Sequence, residues 1–273
     1  MKLFSTFLLK QWLFLMLLQF NVAAQTNNTP KTYFCYKTKS TIQLDGKADE
    51  NEWKKAAWTE AFCDIEGYYK PTPRFETRVK MLWSDTHLYV YAQLNEPDLW
   101  ATLKQRDAVI FQDNDFEVFI DPDGDRLNYY EFEMNAFNTV WDLLLTKPYN
   151  EFGQPISSWD IKNLKTAVSI NGTLNNPIDR DSCWTLEIAF PFQAFSESKV
   201  ALPPKPGDQW RINFSRVEWQ TEVHEGNYVK VRNPATGRPY PEDNWVWSPQ
   251  GAINMHLPSQ WGFLVFRDAA SSK

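Results

Sequence analysis

The sequence DNDFEVFIDPDGDRLNYYEFEMN (residues 113–135) holds eight carboxylates in 23 positions, interleaved with aromatic and aliphatic residues. Successive side chains of a β-strand point to opposite faces. The apolar residues therefore share one face on each of two strands: Phe116, Val118 and Ile120 on the first, and Tyr130, Phe132 and Met134 on the return strand. The intervening Asp-Pro-Asp-Gly-Asp is typical of a turn. The stretch predicts a β-hairpin with one apolar face and one acidic face.

The pairing of the two strands decides where the acids meet. Matching apolar with apolar residues fixes the parity of the register. One register that satisfies it sets Val118 opposite Phe132, and this brings Glu117 opposite Glu133. Like charges directly opposite destabilise a sheet. We therefore expect a cation, an arginine, solvent or a raised pKa to compensate the pair.

Calcium is one candidate partner for these acids. The turn begins like an EF-hand loop, but its sixth position is Arg126 where glycine is required, and its twelfth is Phe132 where a bidentate glutamate belongs. An EF-hand is excluded. Two interpretations stay open: solvated turn acids, or a looser structural calcium site that uses Asp113, Asp115 or Asp121.

Strand signals also dominate the chain outside this hairpin. Alternating residues predict a hairpin over 78–92, another over 164–190, and single strands at 41–44, 210–216 and 261–266. Residues 49–58 form the clearest helical segment, with Asp49 as its expected N-cap and Trp53 and Ala57 on one face. Many short strands and almost no helix predict an all-β fold: an antiparallel β-sandwich, jelly-roll or immunoglobulin-like, with one short N-terminal helix.

The first 24 residues have the pattern of a secretory signal peptide. Lys2 and Lys10 form a short positive region, Trp12 to Val22 is an apolar run, and small residues follow up to Ala24. The uncharged run of about 11 residues is shorter than the roughly 20 that span a bilayer. We expect cleavage, a secreted or periplasmic location and no membrane insertion. The predicted organisation is a signal peptide at 1–24, a linker and first strand at 25–40, a binding domain at 41–267 and a tail at 268–273.

Composition limits the class of ligand. The formal charge is −6, and it becomes about −8 when the two leader lysines are removed. This balance argues against nucleic acid, which requires a basic surface. Aromatic residues make up 16% of the chain, with 13 tryptophans that suit a β core or a stacking surface for flat ligands. Three cysteines allow either one disulfide, such as Cys35–Cys63, or buried thiols. Oligomeric state is left open.

Four stretches in one order resemble the family 9 carbohydrate-binding modules and the wider DOMON-like sandwich group. They are IQLDG (42–46) with DENEW (49–53), MLWSD (81–85) with LYV (88–90), DNDFEVFIDP (113–122), and WVWSP (245–249) with WG (261–262). The resemblance runs from about residue 41 to 267. It implies a jelly-roll-like sandwich that binds plant or microbial glycans, with structural calcium in some members. Such modules often accompany glycoside hydrolases, which implies a role in polysaccharide catabolism.

The chain departs from this family at the sugar site. In the best-understood members two tryptophans sandwich a terminal sugar, and an arginine contacts it. Phe111 and Met255 stand where the tryptophans belong, and Glu133 stands where the arginine belongs. The acidic position is retained as Glu117. The resemblance therefore implies the fold and a saccharide ligand, an oligosaccharide or polysaccharide, but not the same sugar specificity.

Residue chemistry then extends the candidate ligand site. Carboxylates, amides and guanidinium groups hydrogen-bond sugar hydroxyls, and aromatic faces cover sugar C–H surfaces. The predicted cleft comprises Phe111, Glu117, Glu133, Asn135, Arg216, Trp247, Asn254, Met255 and His256. Arg216 continues an apolar face of its strand, so it is either the cationic partner of the glutamates or part of a structural ion pair. Trp245 follows a polar segment that looks exposed, so we expect it to be exposed and not to serve packing.

Two functions of other classes remain as alternatives to binding without catalysis. A glycoside hydrolase needs two carboxylates roughly 5–9 Å apart, and Glu117 and Glu133 meet this requirement in the predicted register. A haem-binding DOMON-like domain for electron transfer would use Met81, Met255 or His256. Because Met255 and His256 are adjacent, they cannot ligate one haem from opposite sides, and no haem is expected.

Overall fold

A computed structural model describes residues 29–269 of the protein, and nearly all of this region is β-structure. The predicted signal peptide (1–24), residues 25–28 of the predicted linker and residues 270–273 of the predicted tail lie outside the described residues. The strands are β1 (Thr32–Lys37), β2 (Cys63–Asp64), β3 (Thr77–Trp83), β4 (His87–Asn95), β5 (Asp115–Asp121), β6 (Tyr129–Asn135), β7 (Val140–Leu145), β8 (Pro155–Ile156), β9 (Lys165–Asn171), β10 (Cys183–Pro191), β11 (Gln209–Glu218), β12 (Thr221–His224), β13 (Asn227–Lys230), β14 (Asp243–Val246) and β15 (Gly262–Arg267).

The helical content is small. The one α-helix between residues 29 and 269 is α1 (Asn51–Lys55), and short 3-10 turns include Ile110–Gln112 and Phe192–Phe195. No helix in this region has the length and apolar character that a membrane span requires.

One curled sheet forms both layers of a sandwich. Its strand order is β8-β7-β6-β5-β11-β15-β1-β3-β4-β10-β9, and β14 and β2 branch from β11. The predicted all-β sandwich is confirmed. Its pairs are antiparallel except at β1, which runs parallel to both β15 and β3. β1 therefore joins the two halves of the sheet.

The main core lies between these two halves. Phe116, Val118 and Phe132 face it from β5 and β6, while Met81 and Ile188 face it from β3 and β10. Period-two alternation then turns Glu117 and Glu133 to the other face of the sheet. The core thus fixes which residues are left to form a site on the far side.

The three predicted hairpins are all present. β3 pairs with β4, β5 with β6, and β9 with β10, each in antiparallel register. In the β5–β6 pair, Val118 lies opposite Phe132 and Glu117 lies opposite Glu133, as the apolar alternation predicted.

The segment before the helix differs from its prediction. Residues 41–44 do not form a strand, and the helix is shorter than 49–58, without a capping hydrogen bond from Asp49. The buried Glu187 carboxylate explains the irregular path, because it accepts hydrogen bonds from the Gly46 amide at 2.9 Å and the Trp53 indole at 2.8 Å. Gly46 has φ +81°, and a Cβ there would lie 2.5 Å from the Ser169 amide nitrogen. The loop is therefore tied to β10 instead of pairing as a strand.

All three cysteines are free thiols. Cys35 and Cys63 are both buried, and the disulfide alternative is not formed.

Candidate functional site

A cleft of about 310 Å³ opens on the face of β5, β6 and β7 that points away from the main core. Its floor comes from the strands, and its walls come from the segments around residues 65, 111, 149, 242 and 253–256. The lining residues are Ile65, Phe111, Glu117, Phe119, Glu131, Glu133, Trp141, Tyr149, Val217, Glu242, Asn244, Ile253, Asn254, Met255 and His256.

Three glutamates of β5 and β6 dominate the floor. Glu117 is 5% exposed and Glu133 is 2% exposed. Burial raises the pKa of Glu117 to about 7, although the nearby Ser215 hydroxyl acts in the opposite direction. The pKa values of Glu131 and Glu133 are raised well above the ordinary value, mainly by burial and next by the charge of Glu117. Each carboxylate therefore carries its charge only at a considerable cost in desolvation.

Asp115 lies behind this floor and completes a carboxylate cluster. It is fully buried, and its Oδ1 accepts a hydrogen bond from the Val217 amide at 3.3 Å, while its Oδ2 has no partner. One carboxylate oxygen from each of Asp115, Glu117 and Glu133 lies within 4.8 Å of the others. Ser215 stands opposite Glu117 on β11, and its buried hydroxyl also has no hydrogen-bond partner.

Aromatic side chains form the walls next to these acids. Phe111 is half-buried in the 3-10 turn, where its amide donates to Glu133 Oε2 at 3.0 Å and its carbonyl accepts from the Trp219 indole at 2.9 Å. Trp141 on β7 is half-buried opposite Glu133 in the register. Tyr149 is exposed at the rim. The cleft therefore combines hydrogen-bond acceptors with apolar ring surfaces.

The loop after β14 supplies the remaining wall. Its position is fixed by the Met255 carbonyl, which accepts a hydrogen bond from the Trp261 indole at 2.8 Å, and by Asn254, whose side chain accepts from the His256 amide at 2.9 Å. His256 Nδ1 lies 2.9 Å from the Tyr129 hydroxyl. Burial lowers the pKa of His256 to about 4. The histidine is therefore neutral near pH 7 and adds no positive charge to the cleft.

Six of the predicted ligand-site residues meet in this cleft. They are Phe111, Glu117, Glu133, Asn254, Met255 and His256. They come from a turn, two strands and a distant loop, and the fold brings them to one side of the sheet.

Arg216 is not placed in the cleft. It faces the interior from β11, where it is paired with Phe116 of β5 and is 1% exposed. Its Nη2 lies 2.7 Å from Glu96 Oε2 and 2.8 Å from Glu218 Oε2. This is the structural ion pair that the sequence left open. The alternation that continues the apolar face of β11 through residue 216 explains the position.

Asn135 and Trp247 are also outside the cleft. Asn135 is buried, and its amide group donates to the Leu103 carbonyl at 2.8 Å and to Asp113 at 2.9 Å. Trp247 is fully buried, with its ring centroid 6.0 Å from that of Phe214. Both side chains serve packing and loop structure. Trp245 is buried as well, contrary to the expectation that it is exposed.

The three predicted metal residues lie in three different environments. Asp113 accepts hydrogen bonds from Thr102, Leu103 and Asn135, and these satisfy its oxygens. Asp121 accepts from the Gly124 and Arg126 amides and belongs to the turn cluster with Asp123 and Asp125. Of the predicted three, Asp115 alone lies with the cleft glutamates. The structure does not unite them around one position.

Several cleft residues were missed in the sequence. Glu131 and Trp141 were detectable, because strand alternation puts them on the face of Glu133 once β6 and β7 are paired. Tyr149, Glu242 and Asn244 reach the cleft from regions whose approach to β5 and β6 depends on tertiary packing. No local pattern marks them.

The haem ligands considered above are also separated. Met81 is fully buried in the main core, whereas Met255 and His256 line the cleft.

Residues 44–213 match the family described as "Carbohydrate family 9 binding domain-like". The chain belongs to this family. The match covers α1, β2 to β10, the first half of β11 up to Asn213 and the floor of the cleft, but it stops before the loop that carries Asn254 and His256. No curated protein matches the sequence.

Solved structures share the fold of this family 9-like chain at low sequence identity. A protein from Bacteroides uniformis, provisionally described as carbohydrate-binding, has a TM-score of 0.63 and 19% identity over 88% of this chain and 100% of its own. A family 9 carbohydrate-binding module from Caldicellulosiruptor kristjanssonii, solved with glucose, has a TM-score of 0.52 and 17% identity over 88% of this chain and 98% of its own.

Proposed function

We propose that this protein binds a saccharide in the cleft of β5, β6 and β7 without cleaving it. The observation that carries the proposal is the cleft's composition: buried carboxylates on the floor stand beside the partly exposed rings of Phe111 and Trp141. Saccharides present hydroxyl donors along their edges and C–H groups on their faces. The carboxylates of the floor accept hydrogen bonds from the hydroxyls, and the aromatic rings pack against the C–H faces.

The size of the cleft limits the ligand. Its volume of about 310 Å³ is at the lower end of the roughly 300–1,000 Å³ that is common for small-molecule sites. A short saccharide, or the terminal residues of a longer glycan, fits such a site better than a long internal segment. Family membership and the glucose-bound module with the same fold support a saccharide as the ligand.

The departures at Phe111, Glu133 and Met255 favour a sugar specificity of this protein's own. Glutamate in place of an arginine replaces hydrogen-bond donors with acceptors. A ligand rich in free hydroxyl donors suits this floor, whereas a carboxylated sugar does not, because it would bring further negative charge to Glu117 and Glu133.

Calorimetric titration against neutral and acidic oligosaccharides tests the proposal. We expect binding of a neutral saccharide, a loss of at least tenfold in affinity in Glu117→Gln and in Trp141→Ala, and no loss in Phe34→Ala. Phe34 is a suitable control because it is an exposed aromatic residue of β1 that does not line the cleft. Equal affinity in all four proteins would reject the cleft as the site.

The same titration tests the enzymatic alternative. Product analysis by mass spectrometry is expected to return the intact saccharide. Hydrolysis that disappears in Glu117→Gln would replace binding by glycoside cleavage as the function.

We further propose that the protein is exported and serves polysaccharide catabolism outside the cytoplasm. The signal-peptide pattern of residues 1–24 supports export. N-terminal sequencing of the protein recovered from extracellular or periplasmic fractions is expected to begin near Gln25, and an intact N-terminus in the cytoplasmic fraction would contradict this.

A further inference from the structure

The cleft floor lacks a positive charge of its own. Glu117, Glu131 and Glu133 line it, Asp115 lies directly behind, and neither lysine nor arginine is among the described lining residues. His256 is held neutral by burial. Adjacent buried carboxylates repel one another and lose hydration, so all of them cannot stay ionised without compensation.

Two polar groups next to these acids have no hydrogen-bond partner. Asp115 Oδ2 and Ser215 Oγ are both fully buried. Ser215 lies on the same sheet face as Glu117, directly opposite it in the β5–β11 register. Buried polar groups in native proteins are nearly always satisfied. The unpartnered oxygen of Asp115 and the Ser215 hydroxyl beside Glu117 thus indicate a missing partner at one position.

The geometry of the cluster suits a divalent cation. Calcium takes oxygen ligands at roughly 2.3–2.6 Å and accepts six to eight of them in flexible arrangements. Two ligands on opposite sides of one such ion are therefore about 4.6–5.2 Å apart. The oxygens of Asp115, Glu117 and Glu133 lie within 4.8 Å of one another, so all three can contact one ion.

We propose that Asp115, Glu117 and Glu133 bind one divalent cation of the calcium class at the cleft floor, with the Ser215 hydroxyl beside it, and that this ion coordinates vicinal hydroxyls of the saccharide. The second part rests on the proposed function, because the ion's open positions face the same cleft. Three carboxylates leave several of the ion's coordination positions free, and a pair of neighbouring hydroxyl oxygens fills two of them.

Two other acidic groups in the described chain lack this combination. In the turn, Asp121 and Asp125 accept backbone hydrogen bonds, and Lys199 forms an ion pair with Asp125 at 2.7 Å. At the second group, Arg106 forms an ion pair with both Asp142 and Asp160. Their acids are satisfied within the chain, and the turn therefore provides a matched control.

The experiment starts with chelator-treated, desalted protein titrated with CaCl₂ in a calorimeter. Terbium luminescence excited through tryptophan gives a second readout, since Trp141 lines the cleft. We expect one ion per chain with a Kd of about 1 mM or tighter. The double variant Asp115→Asn/Glu133→Gln is expected to weaken binding at least tenfold, and Asp123→Asn/Asp125→Asn is expected to leave it unchanged. No binding to the wild type, or equal losses in both double variants, would overturn the site.

Wild-type thermal unfolding keeps the test independent of whether the variants fold. Calcium is expected to raise the melting temperature of chelator-treated protein, and an unchanged temperature at 10 mM CaCl₂ would overturn the site as well. Such a shift follows from binding to the folded state alone.

Saccharide titration with calcium and with chelator separates this inference from the proposed function. Affinity that falls at least tenfold in chelator supports an ion that contacts the ligand. Equal affinity in both buffers would overturn that contact while the saccharide-binding function stands. Calcium binding without any saccharide binding would support the ion site and reject the function.

Discussion

Each face of strand β11 contributes to a cluster of buried acids, and the two clusters differ in whether a cation of the chain lies beside the acids. On the interior face, Arg216 is paired with Glu96 and Glu218, so the negative charges have a cation within the chain. On the cleft face, Ser215 stands beside Glu117 and its neighbouring acids, and no described lysine or arginine lines that cleft. Burial alone therefore does not distinguish a structural cluster from a ligand site. A cluster with all its partners inside the chain is structural, whereas one with unpaired groups beside a cleft is suited to a ligand.

The largest predicted effect removes the internal cation. Arg216→Met leaves Glu96 and Glu218 buried without a positive partner, so the free energy of unfolding is expected to fall by about 3–5 kcal/mol. Urea unfolding followed by circular dichroism measures the change. Arg74→Met is the control, because the Arg74–Asp243 pair is partly exposed and is worth under about 1 kcal/mol. A similar small loss in both variants would remove the distinction drawn for the interior cluster.

The second prediction concerns the neutral histidine of the cleft. Burial lowers the pKa of His256 from 6.5 to about 4. Between these two pH values, His256 binds a proton in the unfolded chain but not in the folded protein. The free energy of unfolding should therefore rise with pH from about 4 to 6.5, with a His256 contribution of up to about 3 kcal/mol. Urea unfolding across this range should show a smaller rise in His256→Gln than in the wild type.

The matched control for this measurement is His224→Gln, since the His224 side chain is 71% exposed. Its pH dependence is expected to follow that of the wild type. A His256 titration near pH 6.5 by NMR would show that the imidazole gains its charge readily, and the cleft would then have an internal cation after all.

The smallest predicted effect compares one carboxylate from each group. In chelator at pH 8, Glu133→Gln removes a buried carboxyl group that has no cation beside it, and this should raise the free energy of unfolding by about 1–2 kcal/mol. The amide oxygen can still accept from Phe111. Burial and the charge of Glu218 also raise the pKa of Glu96, but Glu96→Gln breaks its charge-assisted hydrogen bond from Arg216 Nη2 at 2.7 Å and should lower the free energy of unfolding by a similar amount. Urea midpoints measure both changes, and the same sign in the two variants would contradict the comparison.

The fold was largely predictable because its signals are local. The β5–β6 register followed from apolar alternation alone, and the Glu117–Glu133 pair was confirmed. The segment at 41–44 was mispredicted as a strand because the path of the loop that contains it depends on Glu187, which lies far along the sequence. Alternation cannot reveal a contact of that kind.

The site was predictable only where strand parity determined it. Parity put Glu117 and Glu133 on one face of the hairpin, and both line the cleft in the structure. Arg216 was predicted in the ligand site as the cationic partner of the glutamates, although the same alternation continues the apolar face of Ile212 and Phe214 through residue 216. Trp247 and Asn135 have residue types that suit ligand binding, but their contacts with Phe214, Leu103 and Asp113 occupy them in the core.

The sandwich class, the three hairpins and the acidic face of β5 and β6 could be read from the sequence, since each depends on the alternation of neighbouring residues. The tertiary structure decided which partners those acids have. It placed β11 beside β5, with Arg216 towards the interior and Ser215 on the sheet face of Glu117, and it brought His256 close to Glu131. A buried charge is compensated by groups on neighbouring strands. Those groups lie far apart along the chain, so no local sequence pattern predicts that they are in contact.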